Sequence, residues 1–204
     1  MTRVNALQHC ARSPMDGPAG MEQPLASCGA DSSPLQPVVF STDLVEPSRR
    51  LDLWQSKYES FNIITPMGEA DPSFSGRNVI WSFGALALSR NTAPGVSIER
   101  SARQVRRDSI DHWVVRVART GASRYRSASA CFVTSPGVPA LFSLGEPSES
   151  DRTNADWLSL YIPRDAFPEL SVGLAALGAG VLETPGAALL ADYLLLLERR
   201  LSAM

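Results

Sequence analysis

Two histidines, His9 and His112, and three cysteines, Cys10, Cys28 and Cys131, are all the imidazole and thiol groups in the 204 residues. A catalytic metal centre draws two or three imidazoles and a carboxylate onto one ion. With His9 in a stretch poor in apolar residues, only one histidine is left for a folded body, so no metal site and no cofactor is expected. The cysteines have no CxxC spacing and are odd in number, which excludes a disulfide framework and points to a reducing, cytoplasmic setting. Cys131 lies beside Phe132 and Val133 and reads as a small buried hydrophobe rather than an activated thiolate. Neither a GxSxG elbow nor a GxxxxGK[ST] loop occurs, so neither hydrolase nor P-loop chemistry is supported. No residue is assigned a catalytic role, and the chain reads as a binding protein rather than an enzyme.

Binding chemistry is concentrated elsewhere. Between Glu99 and Arg126 stand Arg100, Arg103, Arg106, Arg107, Arg116, Arg119, Arg124 and Arg126, opposed only by Glu99, Asp108 and Asp111. One reading is the solvated face of a strand pair; others are a basic surface for DNA or an acidic partner, or an inward arginine that holds a carboxylate ligand. Arg100 and Arg116 stand out because each adjoins apolar strand sequence, where an inward guanidinium needs an anion. Trp81, Phe83, Trp113, Tyr125 and Phe132 all fall on expected strands, as core packing or as the wall of a ligand cavity.

The elements that must position these groups can be read from period and punctuation. Residues 1–39 are rich in Pro, Gly and Ser and are read as a disordered tail. Pro47 opens a helix in which Leu51, Trp54, Tyr58 and Phe61 share a face. Asn78 to Arg90 reads as a strand or a bent pair of strands. His112 to Arg119 is the clearest strand, with Trp113, Val115 and Val117 on one face and His112, Val114, Arg116 and Ala118 on the other. Tyr125–Arg126, Ala130–Val133, Ala140–Leu144 and Trp157–Ile162 follow as short strands, a spacing that indicates a barrel or sandwich. After Pro163 the period becomes helical: Thr184 caps a helix, Pro185 takes its first position, and Leu190, Leu194, Leu197 and Leu201 step by four, three and four. Glu183, Thr184-Pro185 and Asp192 break this segment as a membrane span, and the first thirty residues hold no apolar run for a signal peptide. Lys and Arg number 19 against 21 Asp and Glu, far from the basicity of an autonomous nucleic-acid binder.

Taken in order, Phe40-Ser41-Thr42-Asp43, Arg50 with Trp54, the Arg100 segment, Asp111-His112-Trp113-Val114-Val115 with Gly121, Ser135-Pro136-Gly137, Leu160-Tyr161-Ile162-Pro163-Arg164 and Ala188-Leu189-Leu190-Ala191-Asp192-Tyr193-Leu194 resemble the N-terminal domain of AraC/XylS-type transcription regulators. The resemblance covers about residues 40 to 201 and departs from the family at Val138, where relatives often carry an acidic residue. It implies an α+β, mostly β fold: a cupin-like antiparallel β-barrel over 40–162 that binds a small effector, followed by C-terminal helices over 163–204 that make a homodimer. The expected pocket is Trp81, Phe83, Arg100, His112, Trp113 and Phe132, with the aromatic rings stacking on the effector and Arg or His fixing a polar or anionic end. The expected dimer seam is Leu190, Leu194, Leu197 and Leu201. DNA would be met only through a helix-turn-helix domain that these 204 residues do not contain. Two other readings are an oligomerisation module without a ligand and a cupin-fold enzyme.

Overall fold

The structure is a computed structural model that describes residues 36–68, 73–108, 110–153 and 155–204. The expected tail therefore lies almost wholly outside the described residues. The chain runs β1 (Val38–Ser41), α1 (Arg50–Tyr58), β2 (Ile63–Pro66), β3 (Arg77–Phe83), β4 (Leu86–Ala93), β5 (Val96–Arg100), α2 (Ala102–Asp108), β6 (His112–Thr120), β7 (Ser123–Ser127), β8 (Cys131–Thr134), β9 (Pro139–Ser143), β10 (Ser148–Arg152), β11 (Ala155–Pro163), α3 (Pro168–Leu177), β12 (Gly180–Val181) and α4 (Pro185–Leu201). A single 3-10 turn, Pro47–Arg49, leads into α1. The bent pair expected around Asn78 to Arg90 is β3 and β4, joined through Gly84, whose φ of 62° supplies the left-handed turn.

Two antiparallel sheets form, so the class is α+β and mostly β. One has the order β1-β3-β4-β11-β6-β9-β12 and the other β2-β5-β10-β7-β8. Side chains from both meet in two clusters. Ile64, Val96 and Ile98 of the five-stranded sheet pack with Ala93 and Trp157 of the seven-stranded one, along with Trp54 of α1 and Phe74. Tyr125 packs with Val114 and Phe142. The inner layer between the sheets is therefore defined by the even positions of β6 and by Trp157, Ser159 and Tyr161 of β11.

The other face of the seven-stranded sheet is also covered. Trp81, Leu88, Trp113, Val115, Val117, Leu141, Leu158 and Ile162 form one cluster with Ala191, Leu194 and Leu201 of α4. α4 begins as its sequence indicates: the Thr184 side chain accepts the Ala187 N–H at 3.2 Å, and Pro185 follows. The alternation read in β6 thus divides two buried layers, helix side and barrel side, rather than a core from solvent.

That division relocates the expected helix seam. Leu194 and Leu201 are buried against the sheet, with Leu190 and Leu197 packed beside them. The solvent-facing apolar residues of α4 are Leu189, Tyr193 and Leu196, at 70%, 59% and 45% exposure. A 4,3 repeat on a helix marks a buried stripe without saying what buries it, and here the chain's own sheet does so. Cys131 also differs from expectation. It lies on the edge strand β8 and points outward, so it is exposed.

Candidate functional site: the guanidinium pair inside the barrel

β6 and β11 pair so that Arg116 lies opposite Ser159, while Ser159 lies opposite Ser89 of β4. The residues flanking this row along β11 are Trp157 and Tyr161, and those flanking it along β6 are Val114 and Ala118. An inward arginine thus occupies the middle of a central strand. Arg116 is 9% exposed. Its Nε donates to Ser159 Oγ at 3.1 Å. Its guanidinium lies 4.6 Å from the ring centre of Phe142 and 5.9 Å from that of Trp157. Among the described residues no carboxylate comes within 4 Å of it.

A second guanidinium enters from the opposite sheet. Along β10, Glu149 and Asp151 point outward to Arg126. By the period of two, Ser148, Ser150 and Arg152 then point inward. Arg152 lies 4.8 Å from the same Trp157 ring, and its Nε donates to Ser150 Oγ at 3.0 Å. Burial pushes both guanidiniums below their usual range. For Arg152 the charge of Arg116 adds to the effect. The phenols of Tyr161 and Tyr125 act the other way on Arg116, as do those of Tyr161 and Tyr58 on Arg152. A guanidinium does not give up its proton near neutral pH, so the cost is held as electrostatic energy in the folded barrel.

The wall beside this pair is aromatic and hydroxylic. Phe132 stacks on Tyr125 at 4.9 Å with 23° between planes, and Tyr125 meets Phe142 at 5.0 Å, a chain of rings that leads from β8 to Arg116. Burial raises the Tyr125 and Tyr58 hydroxyls above their usual range, so both stay neutral donors. Ser89 Oγ and Asn78 Oδ1 are buried on the same sheet face without a hydrogen-bond partner. Buried polar atoms are nearly always satisfied by protein, water or ligand, so these two atoms mark places on the barrel side of the sheet where a further polar partner can be taken up.

The structure does not bring the six expected pocket residues together. Phe132 belongs to the interior wall, and His112 lies on the barrel side of β6 with a buried Nδ1 that has no partner. Trp81, Phe83 and Trp113 are on the helix side of the sheet, in the cluster that includes Ala191, Leu194 and Leu201 of α4, and the Arg164 guanidinium lies 4.1 Å from the Trp113 ring. Trp81 borders a cleft of about 750 Å³ formed with Val39, Arg77 and Leu201, and Trp113 borders a separate cleft of about 420 Å³ beside Asp111 and Arg164. Arg100 is inward but already saturated. It grips Asp108 through two bonds of 2.6 and 2.8 Å and also donates to the carbonyls of Leu144 and Phe61. That is a structural clamp between β5 and the loop before β6, with no valence left for a ligand.

The residues missed are Arg152, Trp157, Tyr161 and Ser159. The signal for the last three was present in β11 as Trp157-Leu158-Ser159-Leu160-Tyr161-Ile162, where the apolar alternation faces α4 and the polar one faces the barrel. Arg152 sits in Ser148-Glu149-Ser150-Asp151-Arg152, which reads as a polar connection and is a strand. Residues of the two layers are nonetheless tied together. On the helix side Glu198 of α4, 1% exposed, takes Arg90 Nη1 at 3.0 Å and Arg119 Nη1 at 2.6 Å, while Asp156 takes Arg90 through two bonds of 3.0 and 2.8 Å. Arg90 adjoins Ser89, and Asp156 adjoins Trp157. Among the described residues no group of three or more His, Cys, Asp or Glu side chains is placed to hold a metal ion, and no helix is long and apolar enough to cross a membrane.

No protein-family model matches this sequence, and no curated protein matches it. Among solved structures, the crystal structure of the AraC-like transcriptional activator CuxR superposes with a TM-score of 0.75 and 24% identity, over 82% of this chain and 62% of that one. This chain therefore spans about three fifths of that structure's length. A cupin-2 domain from Rhodospirillum rubrum aligns with a TM-score of 0.31 and 15% identity, over 50% of this chain and 69% of that one. The chain has the fold found in part of an AraC-like transcriptional activator.

Proposed function

We propose that the chain is the effector-sensing domain of a cytoplasmic bacterial transcription regulator of the AraC/XylS type, and that its effector is a small organic acid held inside the barrel. The carrying observation is Arg116, a buried guanidinium with aromatic rings beside it and no carboxylate among the described residues to balance it. An acid group supplied by a ligand relieves that imbalance through charge-assisted hydrogen bonds, and Phe142, Tyr125 and Trp157 offer flat apolar surface to the rest of the molecule. The role is binding rather than catalysis. A sensor also needs an output, and α4 is placed for one: its inner face is fixed to the barrel wall through Glu198, and its outer face presents Leu189, Tyr193 and Leu196 for a second copy. In this reading the homodimer pairs through those three residues, and DNA is contacted by a separate helix-turn-helix domain. The likeness in fold to an AraC-like activator supports this reading.

Trp157 makes the site self-reporting. Titrating the protein with benzoate and related acids should change its tryptophan emission and raise its melting temperature, and Trp157→Phe should remove most of the emission change while leaving the melting shift. If no acid in such a series alters either signal at millimolar concentration, the sensing role fails.

A further inference from the structure

The second guanidinium narrows the class of ligand beyond the acid inferred above, and the argument rests on that reading. Arg116 and Arg152 come from opposite sheets and both lie within 6 Å of the Trp157 ring, at 5.9 and 4.8 Å. The nearby carboxylates are all committed elsewhere. Asp151, next to Arg152 in sequence, faces away and is held by Ser97 Oγ at 2.9 Å. Asp156, next to Trp157, is bound to Arg90 and Arg119 on the helix side, as is Glu198. Asp108 is closed on Arg100. Two like charges, Arg116 buried and Arg152 half-buried, thus lie beside one indole with hydroxyls and rings around them, and a ligand with a single negative charge would leave one of the two without a counter-ion.

We propose that this site is selective for small dianions, molecules that carry two carboxylates or one phosphate monoester, with Arg116 and Arg152 each taking part of the charge. The hydroxyls of Ser159 and Ser150, each already bonded to one of the guanidiniums, hold the two Nε atoms in place and so fix the planes of the two groups.

Calorimetric titration of the full chain with phthalate, succinate and phenyl phosphate, against benzoate and phenol, tests the inference. Dianions should bind about tenfold or more tightly than benzoate, and phenol should not bind. Whether phthalate and succinate or phenyl phosphate is preferred tells a dicarboxylate site from a phosphate site. Arg152→Gln should bring the dianion-to-benzoate ratio close to one, Arg152→Lys should keep a preference for dianions, and Arg116→Gln should abolish binding of both. Dianions and benzoate binding equally to the wild type, or a ratio unmoved by Arg152→Gln in a protein with native circular dichroism, would overturn the dianion inference and leave the acid-sensing reading intact. If benzoate and the dianions all fail to bind the wild type, or bind Arg116→Gln unchanged, both readings fall.

Discussion

Replacing Arg116 by methionine separates a ligand-binding arginine from a structural one through stability alone. The substitution removes the bond to Ser159 Oγ, about 1.5–3 kcal/mol for a charged donor. It also removes the contact with the Phe142 ring, about 2 kcal/mol when desolvated. Against this it relieves the desolvation of an unbalanced buried guanidinium, several kcal/mol, and methionine refills the space between Phe142 and Trp157 with a flexible apolar chain. The two sides are of similar size, so the ligand-free variant should unfold within about 2 kcal/mol of the wild type. For a body of this length each kcal/mol moves the melting temperature by about 2–4 °C, so the expected change is small, at most roughly 8 °C. An arginine that belonged to a satisfied buried ion pair would behave otherwise, and its loss would cost about 3–5 kcal/mol. Scanning calorimetry of both proteins without ligand reads the difference. A second scan at a hundredfold excess over Kd should show about 2.7 kcal/mol of ligand stabilisation in the wild type and none in the variant. A ligand-free variant that melts more than about 10 °C below the wild type would refute the account of Arg116 as an unbalanced charge.

Other perturbations address the frame around the site. Glu198→Ala leaves Arg90 and Arg119 to share Asp156 alone and should cost about 1–3 kcal/mol, seen as a lower midpoint in urea. Leu189 and Tyr193 changed together to Asp should give monomers in light scattering with an unchanged melting temperature, whereas Leu194→Asp should unfold the protein because Leu194 is 2% exposed against the sheet; a dimer mass that survives the first pair of changes would remove α4 from the interface. A Cβ at Gly76 would collide with the Trp54 ring, so Gly76→Ala should lower stability by about 1–3 kcal/mol in the same assay, and a neutral result would mean that the ring has room to move.

The strand pattern, the Thr184 cap and the class of fold were legible because they depend on local period and turn chemistry. The site was only half legible, for a physical reason. In a sheet with one wet face, the apolar alternation marks the inside. Here both faces of β6 and β11 are buried, and Trp113, Val115 and Val117 look more like an interior than His112, Val114 and Arg116 do. Apolar character therefore pointed to the helix side, and Trp81, Phe83 and Trp113 went with it. The polar alternate set could be identified as the barrel side only once α4 was known to cover the other, which is a tertiary fact. Arg100 and Arg116 stood in equivalent sequence contexts as inward guanidiniums. What distinguishes them is Asp108, which returns to Arg100 across the short helix α2 and has no counterpart at Arg116. Arg152 was hidden by its neighbours, since Glu149 and Asp151 give β10 the composition of a loop.

The double cover of the seven-stranded sheet has a consequence for how the polypeptide can be divided. A chain cut before Thr184 would lose the layer over Trp81, Leu88, Val115, Val117, Leu141 and Leu158, all of them buried in the intact protein. That exposed sheet would be a broad apolar plane open to aggregation rather than the surface of a free-standing barrel. Barrel and helix are thus one cooperative folding unit, and α4 cannot detach as a way of signalling. In the proposed sensing role, a message from the interior leaves as a small change of angle or register in a helix that stays docked, through strands whose neighbouring residues face opposite layers.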